Sequence, residues 1–293
     1  MFKPAVIATL LSLGVAQAMA QNSIELEQLG TDNVAELQQT GLVESSTMDV
    51  SQVGNLNTAS IAQVGEAYFK VANLQQIGNG NVASIEQTGR TSTLNASSIG
   101  NGNQITGSQT AYVTAQIEQR GDGNVLTFDQ QGYYEGSRMN VSQDGLGNMA
   151  DIFQGDGNRM TLAQIGSYNM ADIQQSDYHN ELDFTQSGDS NRLTVEQNGF
   201  GGRISGSSSG SGNSVDIAQS FMSNQATVTQ SGNDNLASIE QGNYSHQATI
   251  TQQGNANEAI IRQSLPMEAY SRLPGVATIH QSGTGNSATI VQQ

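Results

Sequence analysis

Residue types that perform acid–base, nucleophilic or metal chemistry are sparse and scattered in this chain. Its three histidines, His179, His246 and His280, are far apart in sequence, and there is no cysteine. Two of the histidines fall at turn or consensus-Asn positions and the third at an outward strand position. They form neither a metal-ligand set nor a base beside a nucleophile. GDGN at 121–124 and 155–158 and GNGN at 78–81 faintly suggest calcium loops. The calcium-binding nonapeptide has a nine-residue period with an Asp in each loop, and neither holds here. Thr227/Thr229 and Thr249/Thr251 suggest a flat threonine lattice of the ice-binding kind. Asp183/Thr185, Thr194/Glu196, Asp216/Ala218 and Ser238/Glu240 at the equivalent places break it. The chain therefore reads as a non-enzyme without metal or cofactor.

What these residues sit in is a repeat. From Asn158 an 11-residue phrase begins afresh at 158, 169, 180, 191, 202, 213, 224, 235, 246 and 257. Its consensus is N-x-[A/L/M]-x-[I/V/L/F]-x-Q-x-G-x-x, clearest in NQATVTQSGND at 224–234. A fixed period marks units that bury their apolar faces only by stacking on neighbours. Twelve further units start at 22, 33, 46, 57, 70, 81, 92, 103, 113, 124, 137 and 148, and two at 275 and 286, which makes 24. Those at Ser92, Asn103 and Gly202 are degenerate. The widest break, before Gly275, is a loop bracketed by Pro266 and Pro274.

Within a unit the apolar residues alternate with polar ones, the two-residue period of a strand with one buried face. Gly and Asn/Asp after the Gln supply a tight turn. Two units make a 22-residue rung of strand, turn, strand, turn. The expected fold is all-β, a two-sheet β-solenoid of about twelve rungs stacked at ~4.8 Å by backbone hydrogen bonds. The inward glutamines then need partners, because a buried amide is costly unless bonded. Stacking predicts an amide ladder through Gln164, Gln175, Gln186, Gln197, Gln219, Gln230, Gln241, Gln252, Gln263, Gln281 and Gln292, of the kind found in cross-β assemblies. The asparagines fit either such a ladder or plain turn caps.

The first twenty residues read as a secretory leader: Lys3, an apolar stretch at 5–15, and Ala18-Met19-Ala20 as the cleavage signal. Residues 21–293 then form one repeat domain. Net charge is −16, becoming −17 when Lys3 leaves with the leader. Such acidity argues against nucleic acid or an anionic membrane as partner, and no later segment has the ~20 apolar residues of a membrane span. Outward Asp and Glu read as gatekeepers against premature association.

The tandem pattern, as in NELDFTQSGDSNRLTVEQNG at 180–199 and NLASIEQGNYSHQATITQQG at 235–254, resembles the curlin repeat of curli subunits, the secreted amyloid fibre proteins of bacterial biofilms. The resemblance covers nearly all of 22–293. It implies secretion through a dedicated outer-membrane pore, a cell-surface location, related curli subunits as partners, and adhesion to host or abiotic surfaces. The chain carries more rungs than the subunits it resembles and enters the repeat almost at once, at Asn22. Self-assembly would use the end strands as open edges, with Ile24, Leu26 and Gln28 at one end and Ala277, Ile279, Ala288 and Ile290 at the other. The competing reading is a monomeric β-solenoid that acts as an adhesin or ligand binder.

Overall fold

The computed structural model describes residues 7–12, 22–41, 43–65, 67–264 and 274–293. The described residues contain strands and turns and no helix, hence none long and apolar enough to cross a membrane. Each of the 24 repeat units forms one strand. Pro266 and most of the expected leader lie outside the described residues. Of the leader only the backbone of 7–12 is described, a strand paired in parallel with Val34–Thr40.

Two compact units, 1–147 and 148–293, share one architecture. In the first, one sheet stacks Ser23–Thr31, Thr47–Asn55, Val71–Asn79, Ser92–Ile99, Val113–Asp122 and Arg138–Leu146, all parallel. Its companion sheet stacks Val34–Thr40, Thr58–Val64, Val82–Gln87, Gln104–Gln109 and Val125–Gln130. In the second unit Arg159–Ser167, Glu181–Asp189, Arg203–Ser211, Gln225–Asn233, Gln247–Asn255 and Val276–Thr284 form one sheet. Met149–Gln154, Met170–Ser176, Arg192–Phe200, Ser214–Met222, Leu236–Gln241, Glu258–Gln263 and Ser287–Gln292 form the other. The chain alternates between the two sheets, so each unit is a two-sheet parallel β-solenoid, and the two together contain about twelve rungs.

Register is set by side-chain type. Ala226 lies on Ala248 and Ala277, Val228 on Ile250 and Ile279, and Gln230 on Gln252 and Gln281. These alternate residues are buried between the sheets while Gln225 and Thr227 face out. A one-residue slip would turn the whole apolar set to solvent.

The two edges of each solenoid differ. On one edge, the step from the Gln position to the Asn that opens the next strand is always five, from Gln28–Asn33 to Gln281–Asn286. That constant edge is a G-x-x-N turn. Gly232 there has φ +120°, and a Cβ on it would lie 1.9 Å from the Gly254 carbonyl oxygen. Only glycine permits so close a backbone stack. On the other edge the step varies from four residues (Gln154–Asn158) to twelve (Gln263–Gly275). All length variation is confined to this variable edge.

Candidate functional site: the inward amide ladders

Each inward Gln is the last buried residue of its strand, where alternation points it between the sheets and the turn has not yet begun. In the second unit Gln154 Nε2 donates to Gln175 Oε1 at 3.0 Å, Gln175 to Gln197 at 2.8 Å and Gln197 to Gln219 at 3.1 Å. The chain continues from Gln219 to Gln241 at 2.8 Å, Gln241 to Gln263 at 3.0 Å and Gln263 to Gln292 at 2.7 Å. The second Nε2 hydrogen goes to a backbone carbonyl of the facing sheet, as in Gln175 to Arg159 and Gln241 to Gln225. Both hydrogens and the oxygen of each interior amide are thereby used, which removes the desolvation cost of burying it.

The facing sheet is interrupted. Gln164 donates to Gln186 at 2.9 Å, but the next position is Ser208. Beyond it Ser208 Oγ donates to Gln230, which donates to Gln252 and that to Gln281, the last two bonds each at 2.9 Å. The first unit repeats the scheme. Gln39, Gln63, Gln87, Gln109 and Gln130 form a continuous series, whereas Ser98 interrupts the series of Gln28, Gln52, Gln76, Gln119 and Gln143.

A second ladder runs along the constant edge, and the asparagines both stack and cap turns. Asn57 donates its backbone N and Nδ2 to Asn33 Oδ1 at 3.0 and 3.1 Å, and its Nδ2 also to the Gly78 carbonyl at 2.9 Å. Asn169, Asn191, Asn213, Asn235, Asn257 and Asn286 do the same in the second unit, each onto the Asn one rung earlier. From amide to amide, Gln Nε2 donates toward higher residue numbers and Asn Nδ2 toward lower. The two series of amide dipoles are thus opposed within one sheet. The Gln series has a direction as well: Gln28 Oε1, in the first repeat strand, is buried without a hydrogen-bond partner among the described residues.

Among the other end-strand residues, Ile24 and Leu26 are half-buried, as are Ala288, Ile290 and Gln292. Ala277 and Ile279 are buried at 3 % and 5 % exposure. Leu29 and Val291, on the outer faces of those end strands, are exposed.

Three features of the core escaped the sequence reading. Lys70 occupies a repeat-opening position and is fully buried, its Nζ donating to the Val64 carbonyl at 2.6 Å and to the Gln87 carbonyl at 2.9 Å. Burial pushes its amine down to about 8. His246 likewise replaces an opening Asn. It is buried, and its Nδ1 accepts the Gly275 N–H at 3.0 Å. Burial lowers its pKa, partly offset by the Gly242 backbone, and its Nε2 is buried without a hydrogen-bond partner among the described residues. The third feature is compensation at degenerate strands: Phe128 fills the space that Gly107 leaves, and the Phe184 ring packs over Gly206. Each departs from the consensus at an inward position, the one signal that could have found it. His179 sits in a turn at φ 61° and His280 on an outer face, so the histidines remain apart.

No curated protein matches the chain. Residues 210–242 match the family model described as the curlin associated repeat. That stretch holds Gln219, Gln230 and Gln241, two of them in one ladder and the third in the ladder facing it. The strands around it stack in the same register, and all but Arg203–Ser211, which has Ser208 at the Gln position, carry the inward amide. The matched segment, 210–242, is therefore a curlin-type repeat within the solenoid.

Proposed function

We propose that this chain is a structural subunit of a secreted curli-type amyloid fibre, which polymerises at a bacterial surface and contributes to adhesion and biofilm matrix. One observation carries the reading. Outside the interruptions at Ser98, Ser208, Gly107 and Gly206, each rung presents to the next the same kind of apolar column, amide donors and backbone edge that it receives from the one before. A surface that is complementary to its own translated copy propagates between chains by the interactions that propagate it within one, which is the principle of cross-β stacking. The scattered histidines and the bonding of interior amides to one another support a structural rather than catalytic role. The exposed carboxylates act as gatekeepers, so assembly is faster in 0.15 M salt, where the Debye length is ~8 Å.

The test uses purified chain without residues 1–20, followed by thioflavin-T fluorescence, electron microscopy and fibre diffraction. Unbranched fibres with a ~4.8 Å meridional reflection and a lag abolished by seeds are expected. A folded monomer that persists in light scattering at high concentration would overturn this reading and favour the monomeric solenoid binder.

A further inference from the structure

In the second unit the variable edge carries aromatic side chains as well as the length changes. Tyr178, Phe200, Phe221 and Tyr244 occur at successive passes of the chain along this edge, each more than two-fifths exposed. The Phe221 and Tyr244 rings are tilted, with centroids 6.3 Å apart. Insertions and variable turns in repeat arrays tend to gather on the face that binds partners.

Beside Phe221 a groove opens on the outer face of the sheet, lined by Glu196, Ala218 and Glu240 among others. Strand register places Ala218 between Glu196 on one neighbouring rung and Glu240 on the other. Two rung steps span ~9.6 Å, and the small Ala218 side chain leaves the space between the carboxylates open. The chain itself shows which group suits this column. Arg262, one rung further on, sets its guanidinium 3.5 Å from Glu240. An exposed ion pair alone contributes little, but a guanidinium that also lies on an aromatic face gains a cation–π contact. Lysine has no planar group with which to combine the two.

We propose that this groove docks an arginine side chain of a basic polypeptide partner, its guanidinium flat on Phe221 and hydrogen-bonded to Glu196 and Glu240. The acidic net charge of the chain steers such a partner toward it. This site does not depend on polymerisation, because it lies on a lateral edge of the solenoid.

The experiment measures fluorescence anisotropy of labelled octa-arginine and octa-lysine with the chain lacking residues 1–20, at 0.15 M salt. Octa-arginine is expected to bind more tightly. Glu196→Gln with Glu240→Gln weakens it by about tenfold, and Phe221→Asn by about fivefold, in line with an exposed cation–π contact. Asn is chosen because Phe221 has φ 67°, which Asn tolerates better than Ala. Asp151→Asn with Asp183→Asn removes the same charge from outward positions elsewhere in the unit and changes binding by less than about twofold, the residual long-range effect of screened charges. Equal affinity for the two peptides, or equal loss from the two carboxylate pairs, would overturn the site in favour of a diffuse acidic surface.

Discussion

Gly107 and Phe128, paired in register on adjacent rungs, share the space of one side chain: a Cβ on Gly107 would lie 2.2 Å from the Phe128 ring. Elsewhere that inward column holds Ile85 or Ile61. A large residue on one rung thus offsets a missing one on the next, and the stack stays filled where the repeat looks broken.

The relationship predicts strong coupling. Phe128→Val opens a cavity and Gly107→Val overpacks the column, each costing about 1–3 kcal/mol. Made together, the two changes place a valine on each of the two rungs that follow Ile85 and restore an evenly filled column. The double variant should be more stable than the sum of the single changes by roughly 1 kcal/mol or more. Denaturant midpoints of the four proteins give the coupling, and additive losses would mean that the ring does not occupy the glycine's space.

The Gln ladder gives opposite predictions for an intact and an interrupted series. Gln219→Ala strips Gln197 of an acceptor and Gln241 of a donor, so two buried amides lose a partner at about 1–3 kcal/mol each. Ser208→Gln does the reverse, joining Gln186 to Gln230 across the gap, and should raise the denaturant midpoint. Outward Thr227→Ala, on an exposed face, is the control and should lie within ~0.5 kcal/mol of the parent.

Strand positions, inward faces and the stacking of Gln on Gln were legible because alternation and an 11-residue period leave one register that buries the apolar set. The asymmetry of the edges was legible too, in the constant step from Gln28 to Asn33 through Gln281 to Asn286, but it emerges only when the two turns of a rung are compared separately. Compensation was not legible. Whether Gly107 weakens the stack depends on Phe128 a rung away in the same column, and a reading of units one at a time sees only a poor strand. Lys70 and His246 were hidden for a related reason: a titratable residue at an opening position looks like a turn residue until the fold buries it.

Lys70 makes stability pH-dependent in an unusual direction. Its amine falls from 10.5 to about 8 on folding, so between those values the unfolded chain binds more protons than the folded one. Stability therefore rises with pH through that window, and the cost of the buried charge is fully present below it. Lys70→Asn, which restores the repeat residue, should stabilise the protein by about 3 kcal/mol below pH 8, at ~1.4 kcal/mol per pKa unit. The gain should fade toward pH 10.5. Parallel denaturation curves of parent and variant across pH 7–11 would show the two converging, and a constant offset would place the amine in water.

His246 imposes the opposite limit, on the acid side. Its Nδ1 accepts from the Gly275 N–H, so the neutral ring carries its proton on Nε2, and protonation would set two donors against each other. The surrounding Asn224, Gln263 and Gln292 are uncharged and offer the imidazolium no counter-charge. The folded pKa lies below the usual 6.5. The unfolded chain therefore takes up the proton first, and stability present above about pH 6.5 is lost as pH falls below it. The first contact to yield should be the return of the chain at Gly275, where the twelve-residue step re-enters the stack. Hydrogen exchange at the Gly275 amide should accelerate as pH falls below about 6.5, relative to the Gln225 and Arg203 amides, which bond to the His246 and Asn224 carbonyls on inner rungs. In His246→Asn, where an Oδ1 would accept the same N–H without titrating, that relative acceleration should vanish. If it persisted in the variant, carboxylate protonation rather than His246 would be loosening the terminal rung.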